Sequence, residues 1–571
     1  MLDGIIKKHA LKNALEYGKA QEKGIIGKVI AEYPDAKSEM KLVMEKLREI
    51  VAQVNAMDKA QIESLLKNYA FEEKKAGEGA RKFRIDGATD GKVVTRFLPE
   101  PNGYLHIGHA KAAFLSSELA RQYNGKCILR FDDTNPEAES QEFVDSIKRS
   151  LKWLGLVFSA ENYTSDKMHQ LSKFGGKMVI LGKAYVCTCR QEEMKANRYA
   201  RKDCACRERK GGENFHLYEQ MLKGEIAQGE MILRFRGDMQ SDNTVMRDPT
   251  LFRIIKAPHY RQGTQYSAWP TYDFEVSISD SLDDVTHALR SKEYELRDEL
   301  YYAILAAVNM PKPIVYDFSR LNIKGTLLSK RFLRPLIEQK KVMGWDDPRL
   351  PTLDGLKRRG ILPEAIREFV LRQGLSKVES EPEFDDLLAI NRRVLDSIAP
   401  HYFFIKDPMK LKAANLPLEY SGRKIELATH VGDGKRYFSV GGDLIIPKED
   451  GIALIAGDII RLKDLFNVKI IKAQKTIINC EYAGLENLPN TKKIQWLPND
   501  DSQMAKCEII ETGPLLNDKG VFNDEGMKIS KGICEASCKD LPADSIIQFE
   551  RYGFCRLDEK KKGKLVFIYS C

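Results

Sequence analysis

The stretch Arg96-Phe-Leu-Pro-Glu-Pro-Asn-Gly-Tyr-Leu-His-Ile-Gly-His-Ala-Lys111 constrains this chain more than any other. It joins a short, β-branched apolar run, Val93–Leu98, to Ala110–Tyr123, where apolar residues recur at helical spacing without an internal Pro or Gly. A second apolar run, Cys127–Phe131, follows and ends in Asp132-Asp133-Thr134-Asn135-Pro136, which completes a βαβ unit. In such units ligands sit at the carboxyl ends of the strands, where the first loop and the positive end of the next helix meet phosphates. Gly103 and Gly108 are expected to let a nucleotide approach the backbone. His106 and His109 are expected to donate hydrogen bonds to phosphate oxygens. An arbitrary H-x-x-H at a helix start is more often a capping or packing feature, so the loop needs support from elsewhere in the chain.

Asp317-Phe-Ser-Arg-Leu-Asn322, followed by Thr326-Leu-Leu-Ser-Lys-Arg331, supplies that support. A mobile loop carrying one Lys suits nucleotide chemistry, because a flexible ammonium can follow charge onto a leaving pyrophosphate. Together the two elements resemble class I aminoacyl-tRNA synthetases. The first matches the P-E-P-x-G-Y-L-H-I-G-H-A-K form of the "HIGH" motif found in glutaminyl enzymes and in archaeal and eukaryotic glutamyl enzymes. Leu327–Arg331 matches their variant of the "KMSKS" loop. The resemblance implies a doubly wound, Rossmann-type α/β catalytic domain that uses ATP and Mg²⁺. His106, His109 and Lys330 would be catalytic. Glu100, Pro101, Asn102, Gly108, Ser291, Arg320, Leu321, Leu328 and Ser329 would join them in holding ATP. A shorter nucleotidyltransferase with an H-x-G-H motif would lack the downstream β-rich region, and a non-catalytic relative would be expected to have lost a loop histidine or the mobile Lys.

For the amino acid, the same resemblance implies Arg96, Asp132 at the α-ammonium, Tyr272 and Arg290. Arg290, in Thr286-His-Ala-Leu-Arg-Ser291, stands where glutamyl enzymes carry Arg and glutaminyl enzymes carry a small neutral residue. A guanidinium can pair bidentately with a γ-carboxylate and is poorly met by an amide. Two alternatives stay open at this stage. Arg290 could instead be the ion-pair partner of Asp280 or Glu293, and Pro101-Asn102-Gly103 reads like the glutaminyl form. The expected partners are L-glutamate and tRNA(Glu). A glutamine-specific enzyme, or one that also charges tRNA(Gln) with glutamate, is the nearest alternative.

Eleven cysteines favour reduced thiols or metal over a disulfide framework. Cys187-Thr-Cys189 and Cys204-Ala-Cys206 form two C-x-C pairs separated by residues 190–203. Four thiolates suit a structural, tetrahedral Zn²⁺, and the basic segment between the pairs is expected to favour their deprotonation. Cys534, Cys538 and Cys571 are read as unligated.

The 571 residues, 43% hydrophobic and 30% charged, suit several domains of ordinary globular composition. Lys plus Arg number 91 against 82 Asp plus Glu, a basic excess compatible with a phosphate-backbone partner. No apolar run approaches the roughly eighteen residues of a membrane span, and the expected location is cytoplasmic. The expected organisation is a helical appendage (1–85), the first half of the catalytic domain (86–186), an acceptor-end-binding insertion with the cysteines (187–265), the second catalytic half (266–332), a helical connection (333–400) and a β-barrel anticodon-binding domain (401–571). Helical spacing is read over Ala10–Tyr17, Gly24–Glu32, Ser38–Met57 and Ala60–Tyr69. Glu72–Gly91 reads as a linker. The N-terminal helices could dock a protein partner, although packing against the catalytic domain is the simpler expectation.

Overall fold

The computed structural model describes residues 2–17, 19–22, 25–26, 29, 32–33, 40–66, 69, 83–420, 422–431, 434–517 and 519–571. The chain separates into two compact units, 1–82 and 83–571. The first contains the helices Leu2–Tyr17, Met40–Asn55 and Lys59–Leu66. Its core is Ile6, Ala10, Leu11, Val43, Leu47 and Val54, apolar side chains at three- and four-residue spacing. The helical reading of Gly24–Glu32 and most of the expected linker lie largely outside the described residues.

In the second unit, Val94–Phe97, Lys126–Phe131 and Ala160–Tyr163 form a parallel three-stranded sheet, and His287–Ser291 pairs in parallel with Ile314–Phe318. The amide of Thr286 donates to the Val94 carbonyl at 2.9 Å, and the Val94 amide donates to Thr286 Oγ1 at 2.8 Å, so the two pieces abut. Numbered along the chain, the spatial order becomes 5-4-1-2-3, that of one half of a doubly wound fold. The order reverses between Val94–Phe97 and His287–Ser291, and the carboxyl ends of these two strands open the crevice where such sheets bind ligands.

Ile107–Gln122 runs antiparallel to the first strand and buries Ala110, Ala113 and Phe114 against Ile366, Phe369 and Val370 of the helix Pro363–Arg372. This helix begins three residues before the segment expected from spacing, because His106 caps it. Inserted in the chain between the two parts of the parallel sheet is an antiparallel sheet of Ala184–Cys187, Ile232–Phe235, Thr250–Ile254 and Ala268–Pro270. Its core includes Met168, Leu171, Tyr218, Phe252 and Trp269.

Beyond residue 400 the alternating pattern becomes two seven-stranded sheets. The burial of Pro408–Ala414 alternates residue by residue over its first five positions, as a strand with one face inward requires. One sheet starts at His401–Tyr402 and ends at Phe404–Lys406. The other has Lys492–Ile494 and Leu497–Pro498 at its two edges. In each case the two edges are halves of one bent stretch of chain, so both sheets curl into barrels. The buried Phe403 and Trp496 sit at the bends. The strand Ile546–Phe549 ends just before Arg551, which turns with φ of 61°.

Candidate active site

The crevice at the strand-order reversal is a cavity of about 520 Å³. Of the residues read from the sequence, Arg96, Glu100, His106, Gly108, His109, Asp132, Tyr272, Arg290, Ser291, Arg320, Leu321 and Leu328 line it. Asn102 and Lys330 line an adjoining cavity of about 220 Å³ with Tyr104 and Trp345. Pro101 is buried between them, and Ser329 stands beside Lys330 as the N-cap of the helix Lys330–Glu338.

His106 has extended backbone (φ −122°, ψ 172°), and its Nδ1 accepts from the Gly108 amide at 3.0 Å. His109 Nδ1 in turn accepts from the His106 amide at 3.1 Å. The two rings, 3.8 Å apart between centroids, thus form a reciprocal cap on the helix. With both Nδ1 atoms accepting, the proton of each neutral ring sits on Nε2. Burial, followed by the neighbouring His109 and Lys330 charges, takes His106 well below its ordinary pKa. Burial and Lys330 take His109 to about 4. At neutral pH the pair is therefore uncharged, with one N–H on each ring left over to donate. Capping and ligand donation are here the same arrangement.

The loop is held from outside its own unit. The Ile107 amide donates to the Pro351 carbonyl at 3.0 Å, and the Leu353 amide to the Leu105 carbonyl at 2.9 Å. Lys330 Nζ donates to Asn102 Oδ1, and its side chain lies over Gly103, where a Cβ would come within 2.7 Å of Lys330 Cε. The small residue at 103 thus makes room for the lysine. Lys111, fully buried, donates to the Ser319 carbonyl at 2.6 Å and ties the helix to the turn before Arg320. Arg320 pairs with Glu293 at 2.6 Å, and the Ser291 hydroxyl is buried with no partner among the described residues.

At the other end, Arg96 donates to Asp280 at 3.0 Å and to the Leu289 carbonyl at 2.8 Å, while Arg130 takes the same Asp280 at 2.6 Å. Arg290 therefore does not pair with Asp280. Glu293 is not its partner either, being bound to Arg320. Arg290 donates to Asp298 at 3.0 Å, lies near the rings of Tyr272, Tyr294 and Tyr301 at 5.4–5.8 Å, and keeps a buried, unpartnered Nε among the described residues. Tyr272 is the first residue of the helix Tyr272–Leu282.

Asp132 is pushed up to about 7 by burial and by the neighbouring Glu100 and Asp133. Glu139 is pushed up to about 10 by burial and the same aspartates, and burial with Asp132 takes Glu275 well above the carboxylate range. Burial and the mutual repulsion of these carboxyls outweigh the Arg130 charge beside Asp132 and Glu275. Glu139, Glu275 and Arg253, whose Nε is buried, were not legible in the sequence: they come from three separate segments with no motif spacing.

The four cysteines converge outside the crevice, with Sγ separations of 3.9 Å (Cys187–Cys204) and 3.8 Å (Cys189–Cys206) and all four sulfurs within 4.8 Å of one another. Tetrahedral Zn–S bonds of about 2.3 Å set sulfur separations of about 3.8 Å, so the donor set fits that ion. The basic side chain nearest the sulfurs is Arg234, 3.8 Å from both Cys187 and Cys204, and it lies outside the segment between the pairs that was expected to play that part. Among the described residues, Cys534, Cys538 and Cys571 join no cluster of this kind.

Residues 92–397 match the family model described as tRNA synthetases class I (E and Q), catalytic domain. Residues 399–483 and 493–558 match two models of the anti-codon binding domain of the same enzymes. The chain is 43% identical to a protein named Glutamate--tRNA ligase of Nitrosopumilus maritimus and 41% identical to one of Cenarchaeum symbiosum, in each case over 98% of both chains. It is 36% identical to the Pyrococcus furiosus protein of that name over 99% of this chain and 98% of that one. Among solved structures, a glutamate tRNA ligase from Elizabethkingia meningosepticum aligns at 19% identity over 53% of this chain and 70% of that chain, with a TM-score of 0.41. With a histidine-capped loop at the switch point of a doubly wound sheet, two C-terminal barrels and these matches along the chain, the protein belongs to the class I tRNA synthetases of the glutamyl and glutaminyl group.

Proposed function

We propose that the protein is a glutamate–tRNA ligase that activates L-glutamate with ATP and passes it to the 3′ end of tRNA(Glu). The observation that carries the choice of amino acid is Arg290, a buried guanidinium that lines the crevice beside Tyr272 and keeps an unpartnered Nε among the described residues. Glutamate brings a γ-carboxylate to meet it, whereas glutamine would leave the charge desolvated and poorly paired. The α-ammonium settles at Asp132 and supplies the cation that this cluster of raised carboxyls needs. Arg96, anchored by Asp280, frames the same end.

ATP lies along Glu100–His109, with its adenosine by Ser291, Arg320, Leu321 and Leu328. Mg²⁺ bound with the nucleotide supplies charge neutralisation at its phosphates. As the glutamate α-carboxylate attacks the α-phosphate, the Nε2–H groups of His106 and His109 donate to phosphate oxygens, and Lys330 leaves Asn102 to follow the departing pyrophosphate. A ribose hydroxyl of the tRNA then attacks the carbonyl of the glutamyl-adenylate. No protein nucleophile takes part, so the rate rests on positioning and electrostatics.

The six-part organisation read from the sequence is carried forward as part of this proposal, with the insertion at 187–265 receiving the acceptor end and the barrels the anticodon. Cys187, Cys189, Cys204 and Cys206 would hold a structural Zn²⁺ with no open position for chemistry.

The deciding experiment is aminoacylation with labelled glutamate and labelled glutamine on separated glutamate and glutamine isoacceptors. Glutamate charging of tRNA(Glu) supports the proposal, and its extension to tRNA(Gln) would define a non-discriminating enzyme. Charging of glutamine alone would overturn the role of Arg290.

A further inference from the structure

A second group of metal-ligating side chains lies far along the chain from the cysteines, where the two barrels and the hairpin Arg423–Val440 meet. His401 sits in the edge strand that runs parallel to Ile546–Phe549, and the Glu550 amide donates to the Tyr402 carbonyl at 3.0 Å, which places Glu550 beside it. The His401 amide donates to Thr429 at 2.9 Å and brings the hairpin turn, with His430, onto the same spot. His430 (φ 65°) and Asp464 (φ 57°) both adopt the left-handed backbone of tight turns that aim single side chains.

The two imidazole centroids are 5.0 Å apart. Glu550 Oε1 lies 3.9 Å from His401 Nδ1 and 3.7 Å from His430 Nε2, and His430 Nε2 lies 3.8 Å from Asp464 Oδ2. These separations are too long for hydrogen bonds. They exceed by only a few tenths of an ångström the edge of about 3.4 Å that nitrogen and oxygen ligands span around a tetrahedral ion with bonds of about 2.1 Å. The Glu550 side chain is 5% exposed, and its Oε1 has no hydrogen-bond partner among the described residues. A buried carboxylate oxygen aimed at two imidazoles and bonded to nothing is costly unless something sits between them. Its other oxygen accepts from Lys463, the kind of outer contact that orients a ligating carboxylate.

We infer that His401, His430 and Glu550 bind a divalent transition-metal ion that ties the hairpin to the barrel of His401 and Glu550, with Asp464 of the other barrel beside His430. Two imidazoles with carboxylate oxygens suit zinc, nickel or cobalt, and exclude the thiolate chemistry of the cysteine cluster.

Cobalt(II) distinguishes the two sites on the full-length protein. Bound cobalt is counted by equilibrium dialysis and its visible spectrum recorded for wild type, His430→Ala and His401→Asn, each checked for native circular dichroism. The expected result is one equivalent fewer in both variants, with a wild-type-minus-variant spectrum that shows d–d bands and no sulfur-to-cobalt charge transfer. Equal equivalents in all three proteins, a loss confined to one variant, or a lost equivalent that carries the sulfur band would each overturn the inference. His430 is 41% exposed, so if His401→Asn does not fold, His430→Ala alone decides.

Discussion

At the histidine end of the crevice, His106, His109 and Lys330 come from two short segments. At the carboxylate end, Asp132, Glu139, Glu275 and Arg290 come from four. Both ends are desolvated, and desolvation favours the neutral form of whatever group is buried. The two ends need opposite things from that. The imidazoles are useful neutral, because a ring fixed by its Nδ1 contact keeps one N–H to donate and does not repel Lys330. In the proposed function Asp132 serves as a ligand only when ionised, so an incoming ammonium would draw its proton off. One end is finished before substrate arrives, and the other is completed by it.

The sharpest way to break this contrast is at Lys330, the one mobile charge of the histidine end. Lys330→Ala should lower the adenylation rate about 10²–10³-fold, as removal of one preorganised transition-state contact does. Near-wild-type turnover in a pyrophosphate-exchange assay run with tRNA present would take Lys330 out of the chemistry. Arg290→Cys comes next. Removing one partner of a buried charge pair costs about 3 kcal/mol, so kcat/KM for glutamate should fall about 100-fold while the KM for ATP stays put. An unchanged KM for glutamate would sink the specificity argument.

The pH dependence should separate the two ends more finely. Asp132 holds its proton up to about pH 7 in the free protein, and glutamate binds the ionised form. Its KM should therefore climb about tenfold for each unit below pH 7 and level off above it. His109, at about 4, contributes nothing in that window. In Asp132→Asn the slope should vanish and the KM stay high throughout; a surviving slope would assign the titration to another group, with Glu139 the first to examine. The smallest effect on adenylation should come from the cysteine cluster, which lies outside the crevice. Protein purified without added zinc should carry about one zinc per chain through it, and Cys204→Ser should lose that zinc with little change in the adenylation rate. A metal-free wild type would leave four reduced thiols.

The histidine loop was legible because its turn, its cap and its glycines fall within sixteen consecutive residues. A local turn, its cap and its glycines must be contiguous to work, and Gly103 and Gly108 lie where the loop needs them. The helical and barrel regions were legible for a similar reason, since periodicities of 3.6 and 2 report which face is buried. The boundary of the first catalytic helix shifted where a cap intervened, at His106. Neither ion-pair partner left open for Arg290, Asp280 or Glu293, is the one it has, because an ion pair is chosen by tertiary neighbours: Asp298 on the following helix took it, while Arg96 and Arg130 claim Asp280.

By itself the sequence determined the kind of chain this is: a histidine-bearing loop on a doubly wound sheet, a lysine loop downstream, two pairs of cysteines and a C-terminal run of alternating strands. These are local patterns, set by backbone geometry and by residues close together in the chain. Only the tertiary structure decided that Asp132 stands among four other carboxyls, that Arg290 keeps an unpartnered N–H, that Pro351 and Leu353 brace the histidine loop, and that His401, His430 and Glu550 meet. Burial and partner choice depend on which distant segments are packed together, and no spacing along the chain encodes them.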